Sequence, residues 1–214
     1  SITIDLQHGL IDYQFALNML QVLSKIETTP MVRVPWNEPG IIMKLLDAGS
    51  LGVICPMINN KADAINFVGA TKYVPDGFRS SGPTRAMMVH GVSYHEEANE
   101  KIISLAMVET EEALDNVDDI ASTEGLTGIY IGPSDLSISL GLKPGLDRTE
   151  EKIIQAIDKI KIACKKNKIK VGIHCLSPEF LKNKLKEGFD LTTLGSDVRF
   201  FSEIVSKKIQ EARE

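Results

Sequence analysis

The feature that most constrains this chain is an alternation of short apolar runs with longer amphipathic stretches, sustained from one end to the other. The runs are Ile2–Leu6, Met31–Val34, Gly52–Cys55, Ile103–Val108, Gly128–Ile131, Lys170–Ile173 and Leu191–Leu194. They are rich in Ile and Val and bounded by Gly or Pro, as expected of parallel strands buried on both faces. Helical periodicity between them predicts helices over Tyr13–Ile26, Gly40–Ala48, Lys61–Ala70, Glu111–Glu124, Thr149–Lys166, Ser177–Glu187 and Phe201–Arg213. This is an α/β pattern, which leaves a doubly wound sheet or an α/β barrel. A doubly wound sheet gathers its ligand chemistry at one switch point, usually behind a Gly-rich fingerprint after the first strand. No G-x-G-x-x-G occurs here. Instead nearly every strand ends in polar or turn residues: Gln7-His8, Arg33, Glu109, Ser134-Asp135, His174-Cys175 and Ser196-Asp197. A (β/α)8 TIM barrel builds its active site from the C-terminal ends of many strands, so the barrel is the better expectation. One domain is expected over residues 1–214, with about seven βα units where a barrel has eight.

Composition removes several function classes. With 43% hydrophobic and 25% charged residues, the chain is neither a disordered segment nor a disulfide scaffold. A formal net charge of −5 gives no basic face for nucleic acid. No stretch approaches the ~18 apolar residues of a membrane span. The three cysteines, Cys55, Cys164 and Cys175, lack C-x-x-C spacing and read as buried thiols of a reducing cytoplasm.

Several residues can carry chemistry. Glu109 closes one predicted strand, and Asp135 follows the next through Gly132-Pro133-Ser134. Neighbouring strands lie ~4.8 Å apart, so the two carboxylates can converge on one divalent cation. Both can equally be helix-capping groups. In Asp5-Leu6-Gln7-His8-Gly9, strand alternation puts Asp5 and Gln7 on one face and His8 at the mouth. His8 is there a candidate general base, or a histidine satisfied by a backbone carbonyl. Arg33 stands between β-branched residues of a buried strand and needs a partner: an internal carboxylate, or an anionic substrate. Arg79 and Arg85 flank the Ser80–Thr84 loop, which can bind an anion or pack at a subunit interface. His90 and His95 fall in a polar loop and are expected in solvent, while His174 is expected to line the pocket without doing chemistry. Neither Lys72 nor Lys170 is placed for Schiff-base chemistry, which needs a desolvated lysine in a strand interior.

With these residues in hand, the chain closely resembles the HpcH/HpaI family of class II, metal-dependent 2-oxoacid aldolases. The segments that carry the resemblance are Asp5-Leu6-Gln7-His8-Gly9, Val32-Arg33-Val34-Pro35-Trp36-Asn37, Leu46-Asp47-Ala48-Gly49 and Gly52-Val53-Ile54-Cys55-Pro56-Met57. They continue through Gly77-Phe78-Arg79-Ser80-Ser81-Gly82-Pro83, Val108-Glu109-Thr110, Ile131-Gly132-Pro133-Ser134-Asp135-Leu136-Ser137 and Gly195-Ser196-Asp197. The resemblance implies a TIM barrel of the pyruvate/phosphoenolpyruvate type. It implies Glu109 and Asp135 as ligands of a divalent metal, Mg²⁺ or Mn²⁺ first, with Co²⁺ or Zn²⁺ as further options. Arg33 would hold the 2-oxo oxygen and the enolate, and His8 would act in acid–base catalysis, oriented by Asp47. Asp5 and Gln7 would support this shell, and the backbone around Gly132, Pro133 and Ser134 would receive the substrate carboxylate. Met107 departs from the pattern, since many members carry Gln there, and Gln7 stands where relatives often have Glu.

The implied function is reversible cleavage of a 4-hydroxy-2-oxoacid to pyruvate, or a related 2-oxoacid, and an aldehyde. Alternatives are an acyl-CoA lyase of the citramalyl or malyl type and a non-catalytic 2-oxoacid-binding paralogue. The partners expected are the small-molecule substrates and further copies of the chain, in a hexamer or a dimer-based assembly. Members usually carry one more strand and helix ahead of the Asp5 segment, so the barrel is expected to lack its first unit. An exposed gap is then expected beside Ile2–Leu6, covered by a partner subunit because an open strand edge is sticky. Light scattering should report an oligomer; a well-behaved monomer would count against that cover.

Overall fold

The computed structural model describes residues 1–214. Seven strands form one all-parallel sheet in sequential order: β1 (Ile2–Asp5), β2 (Pro30–Arg33), β3 (Gly52–Cys55), β4 (Ile103–Val108), β5 (Gly128–Ile131), β6 (Lys170–Cys175) and β7 (Leu191–Leu194). The strand segments read from the sequence match these within one or two residues. No bond joins β1 to β7. A single cleft of about 470 Å³ is nonetheless lined by Ser1 and Thr3 on one side and by Leu191–Gly195 on the other. The sheet therefore curls until its two edges face each other across one opening.

Strand alternation sorts the side chains onto the two faces of this curl. The inner face holds a small apolar cluster of Met31, Ile54, Leu105, Met107 and Tyr130. The outer face carries the main core of 45 buried residues, packed beneath the helices. Inner residues are few because Gly52, Gly128 and Gly172 take inward positions where neighbours approach closely. At Gly128 a Cβ would stand 2.4 Å from the Lys170 carbonyl oxygen of the adjacent strand.

Ten helices lie between the strands and an eleventh follows β7. Local chemistry starts several of them: Asp12 caps α1 (Tyr13–Leu23), Glu38 caps α2 (Pro39–Asp47) and Asn60 caps α3 (Lys61–Thr71), each accepting backbone N–H bonds. The predicted helix over Glu111–Glu124 is two short ones, α6 (Glu111–Asp115) and α7 (Val117–Ala121). Asn116 breaks it, leaving helical geometry while its side-chain amide donates to the Asn59 carbonyl at 3.0 Å. The supposed polar loop holding His90 and His95 is also helical, as α4 (Thr84–His90) and α5 (Tyr94–Lys101). Their buried sides are only Ala86, Tyr94 and Ala98, too sparse a stripe to show as periodicity. His90 is half-buried on the Gly49 carbonyl, contrary to the solvent expectation, whereas His95 is exposed and stacks on Tyr73. The chain continues through α8 (Pro133–Ser139), α9 (Glu151–Asn167), α10 (Pro178–Lys186) and α11 (Asp197–Glu211). None of these helices is long and apolar enough to cross a membrane. All three cysteines are free and buried.

Substituting Gly128→Ala should force the β5–β6 pair apart, since the atom it meets is backbone and cannot give way. Chemical denaturation should show a loss of about 2 kcal/mol or more. Gly82→Ala, where a Cβ meets nothing within 4 Å, should stay within about 0.5 kcal/mol of the parent.

Candidate active site

The C-terminal ends of the strands bring most of the expected residues together. Asp5 and Arg33 are direct register partners on β1 and β2. Arg33 grips Asp5 with two parallel bonds, Nε to Oδ1 at 2.8 Å and Nη2 to Oδ2 at 2.5 Å. The Arg33 Nη1 edge is left without a partner in the chain. Asp5 Oδ1 also accepts the backbone N–H groups of Gln7 at 3.0 Å and His8 at 3.3 Å. The same carboxylate thus neutralises the arginine and shapes the turn that presents His8. Burial pushes the Asp5 carboxyl up, but the bonds and charge of Arg33 and the two N–H groups outweigh it and hold it below its usual range. Burial likewise works against the Arg33 charge, and Asp5, Tyr130 and Glu109 more than restore it.

Glu109 is turned into the curl and is only 2% exposed. Its Oε1 accepts the Met57 N–H at 2.9 Å, from a residue held in the left-handed region at φ 56°. Its Oε2 fills the place beside Gly132, where a Cβ would lie 2.3 Å away. The Met107 thioether packs against the same Gly132, so Met107 floors the site with apolar contact. Glu109 caps no helix, because Thr110 performs that role for α6. Asp135 is exposed in the first turn of α8 and caps nothing either. Neither carboxylate is spent on a structural bond to a cation. Burial pushes the Glu109 carboxyl up to about 7; the Asp135 charge adds to the rise, while the Met57 N–H and Arg33 oppose it. A buried carboxylate beside a second carboxylate, with no counter-cation, is the donor set a hard divalent cation satisfies. No third His, Cys, Asp or Glu converges with them, so the other ligands of a cation there would be water and substrate oxygens.

Gly132, Pro133 and Ser134 form the junction of β5 and α8, with Gly132 and Pro133 buried and Ser134 half-buried. Pro133 offers no N–H, so the donors at this junction are the free first-turn groups that follow it. His8 is exposed at the mouth and its ring touches no partner. Asp47, expected to orient it, is engaged elsewhere. Its Oδ1 pairs with Arg79 Nη2 at 2.7 Å, and the Arg79 side chain is 0% exposed. A fully buried guanidinium, stacked over Tyr73 and bonded to the Tyr94 hydroxyl, requires that counter-charge. Arg79 is therefore a buried structural cation and not a loop anion site. Arg85 is similarly used on the Ala48 and Leu20 carbonyls. Gln7 leaves its Oε1 sealed and unpartnered.

The sequence reading passed over Tyr130 and Thr193 and gave His174 no chemistry. The three meet inside the curl: His174 Nδ1 lies 2.8 Å from Thr193 Oγ1 and 3.3 Å from the Tyr130 hydroxyl, which also bonds Thr193. The available signal was polarity at inward positions of Ile-rich strands.

Comparison with known proteins places this arrangement. A family model described as HpcH/HpaI aldolase/citrate lyase matches residues 1–203. The chain belongs to the HpcH/HpaI aldolase/citrate lyase family. A hydroxypyruvate/pyruvate aldolase of Rhizorhabdus wittichii is 40% identical over 213 residues, covering 100% of this chain and 85% of the relative. A 5-keto-4-deoxy-D-glucarate aldolase of Escherichia fergusonii is 33% identical, covering 94% of this chain and 78% of the relative. The crystal structure of an HpcH/HpaI aldolase/citrate lyase family protein from Burkholderia cenocepacia superposes with a TM-score of 0.89 at 27% identity, covering 99% of this chain and 85% of that one. An HpcH/HpaI family chain thus carries its Asp5–Arg33 pair and its buried Glu109 at the strand ends of a seven-stranded curl.

The raised Glu109 group makes stability depend on pH in the metal-free protein. Folded, the carboxyl keeps its proton up to about 7, while the unfolded chain releases it near 4.5. The folded state then binds more protons, so stability should fall as pH rises through that window, by at most about 3 kcal/mol. Denaturant titrations of Glu109→Gln should lack this component of the slope.

Proposed function

We propose that this chain is a metal-dependent aldolase that reversibly cleaves a 4-hydroxy-2-oxoacid to pyruvate, or a related 2-oxoacid, and an aldehyde. The observation that carries the reading is the buried Glu109 carboxyl, paired with no cation and within reach of the charges of Asp135 and Arg33. Family membership and the 40% identical relative, named for hydroxypyruvate and pyruvate, support it.

Glu109 and Asp135 would hold a divalent cation, Mg²⁺ or Mn²⁺ by the oxygen-only donor set. Such a cation supplies Lewis-acid polarisation of a 2-oxo group. The chain's own residues do the rest. Arg33, fixed by Asp5, offers its unpaired Nη1 edge to the 2-oxo oxygen, where negative charge grows as the carbon–carbon bond breaks. A preorganised guanidinium there is worth several kcal/mol because it need not reorient. The donors following Pro133 receive the substrate carboxylate, with the Ser134 hydroxyl beside them. His8 removes the 4-hydroxyl proton during cleavage and returns it to the new alkoxide during synthesis. Its exposed position suits exchange of that proton with water. With Asp47 committed to Arg79, His8 takes its orientation in this chain from the Asp5-anchored turn. The exposed apolar side chains Val198, Phe201 and Ile204 on α11 support assembly into a homo-oligomer.

Arg33→Ala and Glu109→Ala should each lower retro-aldol release of pyruvate by about 10²-fold or more. EDTA should abolish the activity of the parent, and Mg²⁺ or Mn²⁺ should restore it. Full activity with EDTA, or in either variant, would sink this mechanism.

A further inference from the structure

The inner wall opposite Arg33 carries a group of polar side chains that the mechanism above does not use. Tyr130 on β5 points inward, and its ring crosses over Gly172 of β6, where a Cβ would lie 3.0 Å from Tyr130 Cδ2. The missing side chain lets the phenol reach Thr193 on β7 beneath His174. Proton counting then fixes the network. The buried phenol stays protonated, since burial raises its pKa strongly. It has two possible acceptors, Thr193 Oγ1 and His174 Nδ1. If Nδ1 carried a proton, Thr193 would accept from it, and either the Tyr130 or the Thr193 proton would then lack a partner within the group. The opposite order strands nothing: Tyr130 donates to Thr193, and Thr193 donates to Nδ1. In that order the ring proton of neutral His174 sits on Nε2.

Nε2 makes no bond within the chain, and it is not among the sealed unpartnered atoms, so it opens onto accessible space. The register says which space. Val108 pairs Ile131 and Ile131 pairs Ile173, so one residue further along Glu109, Gly132 and His174 stand side by side. Gly132 contributes no side chain, and the Glu109 carboxyl leans over it. The charged groups facing the ring are Arg33 of β2, Asp5 of β1, Asp147 between α8 and α9, and Arg199 of α11.

We propose that the Tyr130–Thr193–His174 relay locks His174 as a neutral donor whose Nε2–H lines the substrate chamber and selects a 2-oxoacid nucleophile bearing a hydroxyl on carbon 3. The inference rests on the aldolase reading. Arg33, the carboxylate pair and the Pro133 junction already match the 2-oxo and carboxylate oxygens, so a further N–H on this wall calls for a further oxygen. A methyl group there leaves the donor unpaired, which is how a polar site rejects an analogue that lacks a hydroxyl.

Two measurements test it on the full-length, metal-loaded protein. Nitrogen-15 NMR of the histidine rings, with His174 assigned by its loss in His174→Gln, should show Nδ1 bare and Nε2 protonated. Thr193→Val combined with Tyr130→Phe, which keeps the shape and removes both hydroxyls facing Nδ1, should let the Nδ1-protonated form appear. A wild-type ring protonated on Nδ1 overturns the relay. Aldol additions of hydroxypyruvate and of pyruvate to glyceraldehyde then give a ratio of kcat/KM values. His174→Leu should lower that ratio about 10- to 100-fold, and His174→Gln, which keeps an N–H, should recover part of it. Equal loss for both nucleophiles overturns the selectivity. The nearly isosteric double variant Tyr130→Phe with Thr193→Val should lower the ratio in the same direction if the leucine variant does not fold. Wild-type protein that turns over neither nucleophile would sink the aldolase reading and the selectivity with it, leaving the ring-nitrogen spectrum to decide the relay alone.

Discussion

The bidentate bond between Arg33 and Asp5 is the constraint on which the rest of the strand-end chemistry depends. A guanidinium cannot be left unpaired in the half-buried top of a parallel curl, and Asp5 is the carboxylate its register supplies. The pairing uses one edge of the fork and frees the other. It also sets the turn from Asp5 to His8, because the same oxygen that takes the Arg33 Nε takes two backbone N–H groups. A cation, its counter-ion and the presentation of a histidine are therefore one unit. Replacing either charged partner disturbs all three.

On the facing side the logic is inverted. Glu109 is surrounded by groups that hold it in place without neutralising it: a backbone N–H from a residue in left-handed geometry, a bare glycine and a methionine. Fixed arginine on one wall and underpaired carboxylate on the other form a polarised chamber between β2 and β4. Such a field would suit the chelating anionic substrate proposed above, with Glu109 and Asp135 as the residues that would hold a cation and Arg33 facing the substrate.

Much of this was legible from residue order because parallel strands leave two strong signals, the Ile- and Val-rich run and the polar residue that ends it. Arg33, Glu109 and the Asp5 segment were visible for that reason, and both carboxylates proved to cap nothing. What could not be read were partnerships across distant segments. Asp47 sits at the end of α2, and only the folded chain shows that Arg79, 32 residues away, buries against it. The helix break at Asn116 depends on a carbonyl of residue 59. The relay through Tyr130 requires β5, β6 and β7 to be adjacent and Gly172 to be bare, a condition no local pattern states. Helices α4 and α5 escaped because so few of their residues are buried.

The opening between β1 and β7 has a consequence beyond the sheet. Thr193 lines it from one edge, and Thr3, two residues before Asp5, lines it from the other. The first and last strands are thus also the foundations of the two polar assemblies that frame the chamber, Asp5–Arg33 and Tyr130–Thr193–His174. In most barrels the closure of the staves and the chemistry at the rim are separable matters. Here the seam is lined by the strands that carry Asp5 and Thr193, so the rim residues stand close to it. The two polar assemblies and the bracing of β1 and β7 are in that sense one structural problem.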